Sequence, residues 1–371
     1  MKHYDLTVVG GSFAGLACAR EAALQGLKTN VYERKATPGA YTQSTGLLVK
    51  EVAQQLSIPE HLTRKITGVR LYAPNMQFID LTSPNYYFLA TDTGALLEWM
   101  ARQVKIAGGV VHSGESVGTS TNSIIATEKK ILLPQQQTSC SYLVCADGAR
   151  SKLARQLQLG VNRHFLCGAE YEVMGFEHVD SDKLHVFLDS EHAPGYIGWL
   201  VPGVHAAQVG IAVKPSCTPK LQPFLEKLAR HFNAKTSIVC GRGGLIPCGG
   251  IVSPMARGNI CLLGDAAGMV SPLTAGGIHP AIEQGTQLGQ YIADYLRYNA
   301  PAPDKALRDK LPKYRTKQLL RALYNRYTPS NDLLNYSVTN PLFKRIAQVI
   351  FFHNRGLLCR EAWRDILWGT H

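Results

Sequence analysis

The sequence predicts an α/β fold in which a parallel-sheet lobe is assembled from scattered segments, a mainly antiparallel β segment is inserted into it, and the C-terminal region is helical. Three observations carry this. A strand, a glycine turn and an alanine-rich helix open the chain; residues 164–250 alternate strand-like runs with Pro/Gly turns; and a buried-strand pattern returns at residue 259. At 371 residues the chain exceeds the roughly 250 to 300 at which a single core tends to split, so two lobes are expected.

Tyr4 to Val9 is nearly all apolar and runs into Gly10 and Gly11, the pattern of a strand buried on both faces. Phe13 to Gln25 has apolar residues at helical spacing, with Gly26 as its C-terminal stop. Lys28 to Tyr32 is a second strand ending at Glu33, which completes a βαβ unit of about the ~30 residues such units need. Leu96 to Ile106 reads as helix, and Gly108-Gly109 turns into the strand Val110 to His112. In the inserted segment, Lys183 to Leu188 and Ala207 to Val213 are strand-like, separated by turns such as Ala193-Pro194-Gly195 and Val201-Pro202-Gly203. Asn259 to Leu263 is a buried strand again, and the chain beyond about residue 300 is helical and basic.

The net charge is +12, and residues 301–371 hold 13 Lys and Arg against 5 Asp and Glu. Their helical stretches carry apolar residues such as Leu319, Leu320, Leu323, Ile346, Val349 and Ile350. A basic amphipathic region suits an anionic membrane surface, and equally a helical cap with a solvated basic face. A basic tail without a recognisable module predicts no specific nucleic-acid partner. The N-terminus has too short an apolar run for a signal peptide, and no stretch reaches the ~18 apolar residues of a membrane span. A cytoplasmic protein, with peripheral membrane contact as an extension, is the expectation. Nine dispersed cysteines without a CxxC pair support neither a disulfide framework nor a metal site.

Four motifs carry chemistry. In VVGGSFAG, Gly10 and Gly15 take the first and third positions of a GxGxxG fingerprint and Ser12 the second. Such a turn, between a strand and a helix, lets a diphosphate approach the backbone at Ser12, Phe13 and Ala14 and meet the positive end of the helix dipole. This makes the lobe Rossmann-like. Glu33, 18 residues beyond Gly15, is placed to accept hydrogen bonds from ribose hydroxyls and to repel a 2′-phosphate, with Arg34 grouped beside it. An unliganded glycine turn and a solvated strand-end Glu are the plainer readings. The third motif is CADGARSKLAR, from Cys145 to Arg155. The fourth is LLGDAAG, from Leu262 to Gly268, in which Asp265 and Ala266 follow a strand; Gly276-Gly277 then opens a helix near Ile278. Backbone N–H groups at that helix start can face the pyrimidine edge of a flavin, which carries negative charge on reduction.

In this order, GGSFAG, Glu33, ADGARSKLAR and GDAAG resemble the flavoprotein superfamily that includes aromatic hydroxylases and geranylgeranyl reductases, over most of residues 4–290. The resemblance implies FAD as cofactor. Gly10 to Gly15 and Glu33 would hold its adenosine half, Asp265, Ala266, Gly268 and Gly276 to Ile278 its ribityl-isoalloxazine half, with Asp147-Gly148 nearby. It also implies NAD(P)H as a transient donor without a second dinucleotide domain. The expected division is 1–60, 90–160 and 250–300 for the FAD-binding domain, 61–89 and 161–249 for the substrate domain, and 301–371 for the basic C-terminal region.

GDAAGMVSPLTAGGI is similar to the GDAAGxxxPLTxxGI pattern of the geranylgeranyl reductase branch, and PGYIGWLVP, Pro194 to Pro202, resembles the aromatic strand lining the substrate cavity there. Halogenases carry WxWxIP, and Ile197 in place of the first Trp argues against that activity. Tyr196 and Trp199 are candidates for cavity wall, or ordinary aromatic core; Thr45 within Thr42 to Thr45, and His279, are candidates for polar contacts. Gln43-Ser44-Thr45-Gly46-Leu47 lacks the cysteine that archaeal lipid reductases often carry there, and no catalytic residue is assigned. The expected reaction is FAD-dependent reduction of C=C bonds in an isoprenoid or other apolar small molecule. Flavin-dependent monooxygenation with O₂ is the alternative, and a non-enzymatic FAD-bound scaffold a third.

Overall fold

The computed structural model describes residues 1–118, 124–127 and 130–352. The last part of the expected basic region, 353–371, lies outside the described residues. The chain forms two compact units. The first comprises Met1–Ser44, Thr93–Phe165 and Leu245–Arg321, and the second Thr45–Asp92, Leu166–Gly244 and Ala322–His371.

The first unit is built on an eight-stranded sheet. Its main order is Ala256–Arg257, Ile260–Leu262, Thr138–Cys145, Lys2–Val9, Thr29–Glu33, Val110–Ser113, with Ile131–Leu133 pairing off Thr138–Cys145 and Ile125–Ala126 pairing in turn with Ile131–Leu133. The four pairings from Ile260–Leu262 across to Val110–Ser113 are parallel. Buried on both faces, Leu6, Val8, Val31, Leu143, Val144 and Leu262 are inaccessible to solvent, as the uninterrupted apolar runs require. The helix Phe13–Leu24 ends one residue before the expected Gln25, with Gly26 as its stop. Gly26, at φ 77°, donates its N–H to the Ala23 carbonyl while Leu27 donates to Ala22, the paired bonds of a Schellman stop. Cys140 and Cys145 lie within the strand Thr138–Cys145, and burial pushes the Cys140 thiol up to about 11.

The second unit holds a seven-stranded sheet, in order Ser237–Pro247, Phe165–Met174, Ala207–Val213, Gly198–Val201, Lys183–Phe187, Gly68–Tyr72, Phe78–Thr82. Lys183–Phe187 pairs in parallel with Gly68–Tyr72, and the other pairings whose register is described are antiparallel. The helix Leu221–His231 covers it through Leu221, Phe224, Leu225 and Leu228, with Phe224 seated over Gly198, where a Cβ would fall 2.4 Å from the ring. A separate three-stranded sheet pairs Leu47–Val49, Phe88–Thr91 and Thr63–Ile66. Among the described residues, no helix is long and apolar enough to cross a membrane.

Candidate functional site

All four motifs follow the C-terminal ends of parallel strands in the first sheet, and so lie along one edge. The chain steps outward in one direction from Lys2–Val9 to Thr29–Glu33, and in the other to Thr138–Cys145 and Ile260–Leu262. The crevice at such a reversal is where open α/β sheets bind ligands.

The loops touch at glycine. Gly10, at φ 116°, donates its N–H to the Tyr32 carbonyl, and a Cβ there would lie 2.1 Å from the Ala146 carbonyl oxygen. A side chain at this position would separate the first turn from the Asp147-Gly148 turn. At Gly15 a Cβ would lie 2.0 Å from the Gly10 oxygen, so the helix can follow the turn this closely only with glycine. Ser12 is the N-cap residue, but its exposed hydroxyl makes no capping bond, and no acidic residue occupies the first helical turn. The helix start at Phe13 and Ala14 is thus free of an internal anion.

Glu33 is 8% exposed, and its carboxylate accepts from the Gly11 N–H at 2.7 Å and the Lys35 N–H at 2.9 Å. These bonds lock the acid against the glycine turn, and an ionised carboxylate retains further lone-pair capacity. Arg34 is exposed. Asp147 caps the short helix that follows it, accepting from the Ser151 hydroxyl at 2.6 Å and the Leu153 N–H at 3.2 Å, while Gly148, at φ 86°, has open space where a Cβ would stand. Of this pair, the Asp147 side chain is occupied by its own helix, and its backbone lies against Gly10.

The GDAAG turn reaches the same place. Gly264 abuts Ala14, where a Cβ would fall 2.7 Å from the alanine methyl, and Ala266 is buried behind it. Gly268, at φ 70°, leaves room for the Gly250 carbonyl, which a Cβ would meet at 2.2 Å. The Asp265 carboxylate has no hydrogen-bond partner among the described residues, and burial pushes it up to about 6. A Cβ at Gly277 would lie 3.6 Å from Asp265 Oδ1, so the acid sits at the mouth of the helix Ile278–Tyr298. Gly277 caps this helix without a side chain, its first turn holds no acid, and Gly276 is exposed beside it. His279 points to its own helix, 3.7 Å from Glu283 Oε2.

Three contributions were not foreseen from sequence. Asn162 Nδ2 donates to the carbonyls of Ala149 at 3.1 Å and Asp265 at 2.8 Å, tying the third motif to the fourth. Arg321, 4% exposed, donates to the Pro272 and Leu273 carbonyls in the segment between Gly268 and Gly276. Gly285 and Gly289 let the helix Ile278–Tyr298 lie against the backbone of Phe13–Leu24, since Cβ atoms there would meet the oxygens of Ala14 at 2.6 Å and Cys18 at 2.5 Å. That glycine pair, four residues apart on a helix, is a signal the sequence did offer.

The substrate candidates Thr45, Tyr196 and Trp199 belong to the second unit, whereas His279 belongs to the first. Tyr196 is buried in the turn before the strand Gly198–Val201. Thr45 and Trp199 are brought together by a residue not expected in the site: both donate to Glu170 Oε2, at 2.5 and 2.6 Å.

Comparison with known proteins agrees with this architecture. Residues 8–56 match the NAD(P)-binding Rossmann-like domain family. The chain is 28% identical over 314 residues to digeranylgeranylglycerophospholipid reductase 2 of Methanosphaera stadtmanae, covering 79% of this chain and 78% of the relative. The crystal structure of a geranylgeranyl bacteriochlorophyll reductase-like protein from Thermoplasma acidophilum superposes with a TM-score of 0.82 at 21% identity, over 96% of this chain and 98% of that one. A halogenase in complex with phloroglucinol and FAD superposes at 0.70 and 14% identity, over 93% and 79%. The class so defined is that of a Rossmann-like α/β fold carrying a second, mainly antiparallel β unit. Within it, the chain resembles the geranylgeranyl reductase branch.

Proposed function

We propose that the chain binds FAD in its first unit and reduces C=C bonds of an isoprenoid or similarly apolar small molecule with hydride derived from NAD(P)H. The observation that carries the cofactor assignment is the unpartnered Asp265 carboxylate at an uncapped helix start, beside a second open helix start at Ser12. A carboxylate without a donor and helix ends without an acceptor fit a ligand that presents ribityl hydroxyls to one and negative charge to the others. The chain's own residues would divide the work. Ser12, Phe13, Ala14 and Gly15 take the diphosphate, and Glu33 the adenosine ribose, with Arg34 alongside. Gly148 provides clearance beside Asp147; Asp265, Ala266 and Gly268 hold the ribityl chain, and Gly276, Gly277 and Ile278 aim N–H groups at the pyrimidine edge. When bound, FAD supplies hydride transfer from the nicotinamide to substrate carbon. Thr45, Tyr196 and Trp199, all of the second unit, are the proposed substrate contacts, and no protein acid is assigned.

The reductase reading is preferred to monooxygenation because it follows the named relative and the GDAAGMVSPLTAGGI pattern. Anaerobic incubation with NADH or NADPH and geranylgeranyl diphosphate tests it. A product that gains two hydrogens per double bond is expected, and a product formed only in air and carrying an added oxygen atom contradicts it. Leu323, Tyr327, Leu333, Tyr336 and Leu342 are exposed among the basic residues Arg326, Lys344 and Arg345, which supports peripheral contact with an anionic membrane as part of the proposal.

A further inference from the structure

We infer that Glu170 is a positioning residue that fixes the substrate wall, acting through Trp199 and Thr45; this rests on the reductase reading and adds a specificity element to it. The observation is a row of side chains across four neighbouring strands. In the register of the second sheet, Glu170 stands opposite Gly210, and Gly210 opposite Trp199. At Gly210 a Cβ would fall 2.4 Å from the indole ring, so the ring lies over the glycine and its Nε1–H reaches past it to Glu170 Oε2 at 2.6 Å. Any larger residue at 210 would block that reach. Thr45 donates its hydroxyl to the same oxygen at 2.5 Å.

On the other side, the strand Ser237–Pro247 brings Arg242, whose Nε donates to Glu170 Oε1 at 2.8 Å and whose second terminal nitrogen also engages that oxygen. Arg242 extends to Glu172 Oε1 at 2.6 Å as well. Glu170 is only 5% exposed. Its charge is therefore compensated on one oxygen by the guanidinium, while the other oxygen is saturated by the indole and the hydroxyl. Charge-assisted bonds of this kind are short and orienting. A carboxylate so engaged is not the proton donor of the reaction. Its consequence is geometric: the indole has one orientation and Thr45 one hydroxyl direction before any substrate arrives. Preorganisation of that sort acts on which substrate is accepted more than on how fast it turns over.

The test is Glu170→Gln, which keeps the volume but offers an amide N–H where an acceptor is needed, with Trp199→Phe and the double variant. With farnesyl and geranylgeranyl diphosphate as probes, KM for the preferred chain should rise about tenfold and discrimination between the two should fall, with kcat within about twofold. The double variant should fall well short of the sum of the two single effects, because both changes break the indole contact while Glu170→Gln alone also disturbs Thr45. Loss of kcat at unchanged KM, or additive effects, overturns the inference. The Trp199 indole N–H signal in ¹⁵N-labelled protein, assigned by its disappearance in Trp199→Phe, should move in Glu170→Gln; an unmoved signal also overturns it. That readout needs no turnover, so a wild type that saturates neither probe sinks the reductase reading and leaves the anchoring to be decided by the spectrum. Should Glu170→Gln fail to fold, Thr45→Val removes one donor to the same oxygen and should raise KM in the same direction; an unchanged KM contradicts the inference.

Discussion

Glu33 and Asp265 are both carboxylates at strand ends, yet they meet opposite environments. Glu33 is satisfied by two backbone N–H groups, whereas Asp265 has none and burial raises it to about 6. With its folded value above the ordinary 3.8, Asp265 holds its proton longer in the native state than in the unfolded chain. Its contribution to stability is therefore full below about pH 4 and is lost as pH rises through about 6. Asp265→Asn should make the FAD-free protein more stable at pH 7, by about 1 to 2 kcal/mol, while weakening FAD binding; the stability gain should vanish near pH 4. Urea titrations at the two pH values, with an FAD titration at pH 7, check both halves. Glu33→Ala should cost FAD affinity on the order of tenfold or more, read by quenching of flavin fluorescence, since a hydrogen bond to a charged group contributes about 1.5 to 3 kcal/mol. These two acids were legible because each stands next to its own motif in the chain. Asn162 and Arg321 were not, because their carbonyl partners lie 103 and 49 residues away, and an amide or guanidinium bonding to backbone leaves no local pattern.

The helix Ile278–Tyr298 owes its place to Gly285 and Gly289, which admit the backbone of Phe13–Leu24. Gly285→Ala should force the helices apart, lowering stability by about 1 to 3 kcal/mol as overpacking does. Because Gly285 faces the carbonyl of Ala14, the same change should weaken FAD binding; thermal denaturation and an FAD titration read the two effects, and unchanged affinity would separate the helix contact from the site. Long, strongly patterned elements were readable. Ala207–Val213 and the start at Ile278 fall where expected, and Phe13–Leu24 ends one residue early. The helix expected from Leu96 begins at Thr93, in its first, less apolar turn. The three-stranded sheet of Leu47–Val49, Thr63–Ile66 and Phe88–Thr91 was missed, since runs of three or four residues are too short to show a period.

Taken whole, the molecule is a dinucleotide-type scaffold whose site is made by convergence, so ligand and fold should be coupled. FAD at about 100 times its dissociation constant should stabilise the native state by ~2.7 kcal/mol, seen as a concentration-dependent rise in melting temperature. The basic, partly apolar C-terminal helices predict sedimentation with vesicles containing phosphatidylserine, reduced in high salt and weak with phosphatidylcholine alone. Fold class was legible at this scale because strand, glycine turn and helix recur in a fixed order. The anchoring of Trp199 was not, since sheet register alone sets Glu170, Gly210 and Trp199 in a row.

Equilibrium titration of the purified chain with FAD, followed by its visible absorbance, tests the central claim most directly. One equivalent should bind per chain, with affinity lowered in Glu33→Ala and Asp265→Asn. Uptake of no FAD, or uptake unaffected by both substitutions, would contradict the account.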